Sequence, residues 1–275
     1  SMRITTLRSY IRTWCLNLQA LISSTHCRRH HFRFVPSYFN SQESFHGQEP
    51  RLPDINSYLK KLMKEGKLRQ AQHLFDKLPQ RDEISWTNMI SGYANSSDPN
   101  RAALLFVQMR LDDELFVEPF ALSAAIKACG RSKSSVFGKS LHGYSIKVNL
   151  VDSVFVGSAL VDMYMKIGWV GKARKVFHFM PIRNLVSWTA VITGLVNGGL
   201  NDVALIYFSE MLREGERCDS FSLSIVLKAC ALGSNLDGGR EIHCYAIKKG
   251  EKDASFVGNA VAAMYSRCSK LDLAV

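Results

Sequence analysis

Beyond residue 51 the apolar side chains recur three and four positions apart. Over 154–184, Ala159, Leu160, Met163 and Tyr164 mark one face before Gly168 breaks the pattern. Ala173, Val176, Phe177 and Met180 then mark a second face, and Pro181 ends it. This spacing predicts helix, tight turn, helix. No segment alternates polar and apolar residues over a useful length, so strands are not expected. Gly66, Gly138 and Gly239 sit where a turn or a close helix contact needs a small residue.

The pattern repeats. A shift of 102 residues lays Glu83–Gly92 (EISWTNMISG) on Leu185–Gly194 (LVSWTAVITG). A shift of 101 lays Lys127-Ala-Cys129 on Lys228-Ala-Cys230, His142 on His243, and Phe155–Ala159 on Phe256–Ala260. Each long period divides into three units: 52–82, 83–118 and 119–153, then 154–184, 185–219 and 220–254. A seventh unit is read as starting at Ser255 and breaking off at Val275. Units of 31–36 residues cannot each enclose a core. They are expected to stack, which makes the fold all-α: a right-handed superhelical solenoid of helix-turn-helix repeats. Trp86 and Trp188 are expected in its core, and His142 and His243 packed between repeats.

Composition changes this picture at the N-terminus. The chain has 275 residues, a net charge of +11 and ordinary hydrophobic content (47%), and no apolar run reaches membrane-spanning length. Residues 1–51 hold seven Arg, no Lys and two Glu, so nearly half of the excess charge lies in a fifth of the chain. There is no acid from Ser1 to Gln42, and Arg3–Ile22 can form an amphipathic helix with a basic face. Residues 1–51 are expected to be an organelle transit peptide and disordered lead-in, to the mitochondrion or, as the alternative, the chloroplast. A basic RNA-binding tail is the competing reading.

The seven cysteines include no C-x-x-C pair, which predicts buried free thiols and no zinc ribbon. No phosphate-binding Gly loop, G-x-S-x-G, H-E-x-x-H, or H-x-E with C-x-x-C is present. No enzyme activity, cofactor, metal, membrane or small-molecule substrate is therefore expected.

The chain resembles the pentatricopeptide repeat proteins of plant organelles, in the variant that cycles short, standard and long motifs. The resemblance rests on Trp86 and Trp188 in Ser-Trp-Thr openings, Phe75–Pro79 (FDKLP), Val176–Pro181 (VFHFMP), Phe208–Met211 (FSEM), Leu141-His142, Ile242-His243 and the cycle of lengths. It implies a groove that reads one base of single-stranded RNA per repeat.

By this resemblance the fifth and last residues of each motif choose the base. Asn56 goes with Asp82 (uracil), Thr87 with Glu118 (base open), Ser158 with Asn184 (adenine) and Thr189 with Asp219 (guanine). Asn259 is the fifth residue of the seventh unit. The long units offer Ser123 with Ser153 and Ser224 with Ala254, which fit the family's pairings poorly. Each fifth-position side chain also lies near a helix start, where a capping role is the plain structural alternative. The second residues, Ile84, Phe120, Phe155, Val186, Phe221 and Phe256, with Pro53 in the first unit, are expected to sandwich bases. Lys64, Lys166 and Arg267 recur late in the first helix of the short units and are expected to meet phosphates.

The resulting expectation is an organelle RNA-binding protein that selects processing sites, foremost for C-to-U editing, with RNA-editing proteins as partners. The alternative is a helical-repeat scaffold for protein–protein interaction.

Overall fold

The computed structural model describes residues 52–111, 117–250 and 255–268. The expected transit segment and Ala254 lie outside the described residues. Of the two compact units, Ser1–Ile55 is described only over the first turn of one helix, so packing concerns Asn56–Val275.

Among the described residues there are thirteen α-helices and no strand. The odd-numbered helices are α1 (Leu52–Lys64), α3 (Glu83–Asn95), α5 (Pro119–Arg131), α7 (Val154–Ile167), α9 (Leu185–Asn197), α11 (Ser220–Leu232) and α13 (Ser255–Arg267). The even-numbered ones are α2 (Leu68–Asp76), α4 (Pro99–Leu111), α6 (Ser135–Lys147), α8 (Val170–Phe179), α10 (Asn201–Arg213) and α12 (Leu236–Lys248). From α3 to α13 each odd helix packs on the next odd helix. From α4 onward each even helix fills the angle between two odd ones. The fold is thus an all-α helical-repeat solenoid with an odd-helix layer and an even-helix layer.

The faces marked in the sequence are the buried ones, with Val176 only half-buried. Ala159, Leu160, Met163 and Ala173 are completely enclosed, and Tyr164, Phe177 and Met180 nearly so. Between the two stripes the chain must reverse, and Gly168 does this in the left-handed region at φ +87°. Aromatic wedges join each even helix to the next odd one. Phe177 meets Trp188 edge-on at 4.7 Å, and Phe75 meets Trp86 at 4.9 Å. Arg183 covers the Phe177 ring and donates to the Phe177 and His178 carbonyls, closing the C-terminal end of α8. Arg81 does the same for α2.

The odd helices approach closely where side chains are absent. A methyl group on Gly130 of α5 would sit 2.9 Å from the Met163 Cα of α7. Gly138 and Gly239 lie tightly against Met163 and Met264. His142 bonds Tyr164 at 2.8 Å and His243 bonds Tyr265 at 3.1 Å, both across helices. The thiols depart in part from the sequence expectation. Cys129 and Cys230 are buried, Cys218 and Cys268 only partly so, and Cys244 is exposed, because it lies on the outward face of α12, beyond the contact with α11 and α13.

Candidate nucleic-acid interface

The N-termini of the odd helices carry one apolar residue each at the second helical position. Ile84, Phe120, Phe155, Val186, Phe221 and Phe256 are all about half exposed. Since α3, α5, α7, α9, α11 and α13 stack in order, these six side chains form a row along the odd-helix layer. Half-exposed phenylalanines in a repeated position leave apolar surface without a partner in the fold. The row is uneven. Phe120 and Phe155 touch, with ring centroids 4.5 Å apart and planes tilted by 44°. Phe221 and Phe256 are nearly parallel at 6.4 Å.

Beneath this row lie the fifth-position residues. Asn56 and Ser158 are buried, Thr87 and Thr189 are half-buried, and Asn259 is exposed. A capping role for these side chains does not hold. Each sits a full turn inside its helix, and the hydroxyls of Ser158 and Thr189 bond back to the Val154 and Leu185 carbonyls at 2.6 and 2.7 Å. Thr87 Oγ1 has no hydrogen-bond partner.

The cap is instead the last-position residue of the preceding unit. Asp82, Asn184 and Asp219 are the N-caps of α3, α9 and α11, and each accepts from the amide three residues on, at 2.8–3.0 Å. Glu118 stands at the same point before α5 but makes no side-chain cap bond. Extended backbone at these positions turns the side chain toward the start of the odd helix.

The two expected partners meet directly in the first pair. Asn56 Nδ2 donates to both carboxylate oxygens of Asp82, at 3.0 and 3.1 Å. Asn88 Nδ2 then donates to the Asn56 carbonyl at 3.0 Å, which ties α3 to α1. In the fourth pair Asp219 is exposed, and its Oδ1 accepts from both the amide and the hydroxyl of Ser222. Among the described residues no hydrogen bond engages its Oδ2, which leaves that oxygen as an acceptor.

The cations are not alike. Lys64 and Arg267 are exposed at the ends of α1 and α13. Lys166 is held by Asp162 one turn earlier, at 2.6 Å. A part-exposed pair of this kind is worth only about 0–1 kcal/mol, so a phosphate can compete for the ammonium. Three further lysines on the same face were not singled out in the sequence. Lys60 and Lys127 line one groove of about 770 Å³ with Lys64, Thr87, Phe120 and Ser123, and Lys228 repeats Lys127 in α11. The signal was present, because Lys-Ala-Cys recurs at the 101-residue shift and stands seven residues after Phe120 and Phe221.

Burial pushes the Cys129 thiol up to about 12 and the Cys230 thiol to about 11, which leaves both inert at neutral pH. Among the described residues no group of three or more His, Cys, Asp or Glu is placed to hold a metal ion.

Comparison with known proteins matches this chain to the PPR repeat at residues 84–113 and 158–185, and to the PPR repeat family at residues 183–231. The pentatricopeptide repeat-containing protein At3g47840 of Arabidopsis thaliana is 42% identical over 219 residues, which is 79% of this chain and 31% of that protein. The mitochondrial protein At3g24000 is 38% identical, over 78% of this chain and 34% of its own length. The chloroplastic protein At5g55740 is 35% identical, over 75% and 25%; both are from Arabidopsis thaliana. The chain therefore spans about a third or less of these relatives. The crystal structure of the pentatricopeptide repeat protein PPR10 in complex with an 18-nt psaJ RNA element aligns with TM-score 0.60 at 17% identity, over 80% of this chain and 32% of that one. PPR10 from maize aligns at 0.52 and 18% identity, over 83% and 38%.

Proposed function

We propose that this chain, which carries pentatricopeptide repeats, binds single-stranded RNA in an organelle, takes at most one base per repeat, and so marks sites for RNA processing, foremost C-to-U editing. The observation that carries the reading is the direct bond between Asn56 and Asp82, 26 residues apart in sequence. It brings a fifth-position and a last-position side chain to one spot at a helix start. A base edge meeting that spot reaches the half-buried Asp82, whose carboxylate the buried Asn56 holds from behind.

The row of apolar second-position residues supports the reading from a second side, since base faces stack on such surfaces. The open Oδ2 of Asp219 is an acceptor-only group, suited to the donor edge of guanine. In this account Asn56 with Asp82 takes uracil, Ser158 with Asn184 adenine, and Thr189 with Asp219 guanine. Thr87 with Glu118 and the exposed Asn259 take further bases, and Lys64, Lys166 and Arg267 neutralise phosphates. PPR10 was crystallised with an RNA element, and relatives bear mitochondrial and chloroplastic names, which supports an RNA partner and an organelle address.

Selection from a randomised single-stranded RNA pool tests the proposal. Uracil, two unrestricted positions, adenine and guanine should be enriched in that order. A pool returned without base preference would instead favour a scaffold that docks proteins on the apolar row. The editing assignment is tested in plant lines lacking the protein, which should lose C-to-U conversion at specific organelle sites. Unaltered editing throughout would remove that assignment.

A further inference from the structure

We propose that the two long repeats, 119–153 and 220–254, do not take a base but clamp the phosphate backbone through Lys127 and Lys228. The inference rests on the RNA-binding reading above and adds a division of labour among the repeats.

The first observation is what flanks each repeat. Repeats 83–118, 154–184 and 185–219 each lie between one aromatic and one aliphatic second-position residue: Ile84 and Phe120, Phe155 and Val186, Val186 and Phe221. Only the long repeats lie between two phenylalanines. The Phe120 and Phe155 rings touch at 4.5 Å with planes tilted by 44°, and the Phe221 and Phe256 rings lie nearly parallel at 6.4 Å. A base slid flat between two rings needs roughly 7 Å, twice the carbon contact distance of about 3.5 Å. The first slot is closed by its own walls, and the second is narrower than a base requires. Opening the first would also break an aromatic contact.

The second observation is that the long repeats have little with which to read a base. The last-position Ala254 has no polar side-chain atom, and Ser153 makes no cap bond that would orient it.

The third observation is the cation. Lys127 is the only exposed residue from 121 to 130 and lies two turns along α5 from Phe120, in the groove that Phe120 and Lys64 share. No acidic side chain pairs with Lys127 or Lys228 among the described residues. Lys228 Nζ is oriented by the neutral Asn197 Oδ1 at 3.3 Å. The matching position in repeat 154–184 is Asp162, which neutralises its own neighbour Lys166. The long repeats thus present an uncompensated charge where the short repeat presents none. A charged group without base-edge donors or acceptors nearby holds a phosphodiester and carries no sequence information.

The test uses the 275-residue chain and a synthetic RNA of six nucleotides in the register uracil, any, any, adenine, guanine, any, with flanking spacers. An abasic ribose at the third position, opposite 119–153, should leave the Kd within about twofold. The same lesion at the adenine should weaken binding roughly tenfold or more. Lys127→Met/Lys228→Met should flatten the log–log salt slope by about 1.4, at roughly 0.7 per lost contact on a single strand. Lys127→Arg/Lys228→Arg should restore the slope. Lys175→Met/Lys248→Met, which removes two charges from even helices, should change it much less, and melting by circular dichroism checks that all variants fold. An abasic third position as damaging as the adenine lesion overturns the inference, and so does a slope equal to that of the even-helix control. If intact RNA is bound no better than its scrambled sequence, base reading itself fails and the inference falls with it, an outcome visible before any lesion is introduced.

Discussion

Replacing Asp82 by alanine separates a capping aspartate from one that also holds a buried amide. Asp82 Oδ1 accepts from the Ser85 amide at 2.8 Å, and its two oxygens accept from Asn56 Nδ2 at 3.0 and 3.1 Å. Loss of the cap costs about 1 kcal/mol. Asn56 is only 5% exposed, so its amide is left inside without that partner. An orphaned buried donor costs a further ~1–3 kcal/mol. Asp82 itself is half-buried, and water can enter where its carboxylate stood, which favours the lower end. The total is about 2 kcal/mol. Asp219→Ala removes the cap and the acceptor of the Ser222 hydroxyl at an exposed residue, and orphans no buried amide. It should cost about 1 kcal/mol. In Asn56→Ala/Asp82→Ala the orphan is gone, so the double variant should be more stable than the sum of the singles by about 1 kcal/mol. Urea unfolding gives the totals, and hydrogen exchange over α3 localises the loss, because repeat arrays open segment by segment. If Asp82→Ala costs no more than Asp219→Ala, or the double variant is additive, the two side chains do not act as a pair.

Other consequences follow from the same contacts. Gly130→Ala forces a methyl against the Met163 backbone and should destabilise by about 1 kcal/mol, an overpacking cost of ~1–3 less the ~1 that alanine returns in a helix. Gly143→Ala points into open space and should stabilise by about 0.5–1 kcal/mol, so urea midpoints that move the same way for both would contradict the packing. Burial, and secondarily the charge of Lys172, holds the His142 pKa below its ordinary 6.5. The unfolded chain then binds the proton more readily, so stability should fall as pH drops through 6.5, and His142→Gln should flatten that acid limb in pH-dependent melts. Residues 2–50 fused to a fluorescent reporter should carry it into mitochondria, with plastids the alternative; a cytosolic reporter refutes the address.

Periodicity was enough for the fold, because a buried stripe must recur every three to four residues in any helix packed on one side. Ala159, Leu160, Met163 and Tyr164 are buried on that rule alone. The Trp wedges were legible too, since a tryptophan at the same point of two repeats has a large surface to hide. The site was legible in its residue types but not in its contacts. Which residue caps depends on extended backbone at Asp82, Asn184 and Asp219, and neighbouring fifth-position hydroxyls looked equally suited. The Asn56–Asp82 bond joins residues 26 apart, and only the stacking of α1 against α3 closes that distance. The contact of Phe120 with Phe155 needs the spacing of α5 from α7, which Gly130 helps set and no sequence pattern states. Neutralisation of Lys166 was readable from Asp162 four residues earlier, and Lys127 from its recurrence in Lys-Ala-Cys.

Reading of a single base by a single repeat is tested most directly at Asp219. Asp219→Asn keeps an oxygen to cap Ser222, since asparagine and aspartate cap equally well, so the fold should hold. The substitution removes the charge and places a donor where the open acceptor stood. Binding of a randomised single-stranded RNA pool to both proteins should show guanine giving way to adenine at the position after the preferred adenine, by about 1–3 kcal/mol, with every other position unmoved. A variant with the preference of the original protein, or one altered at several positions together, would contradict the account.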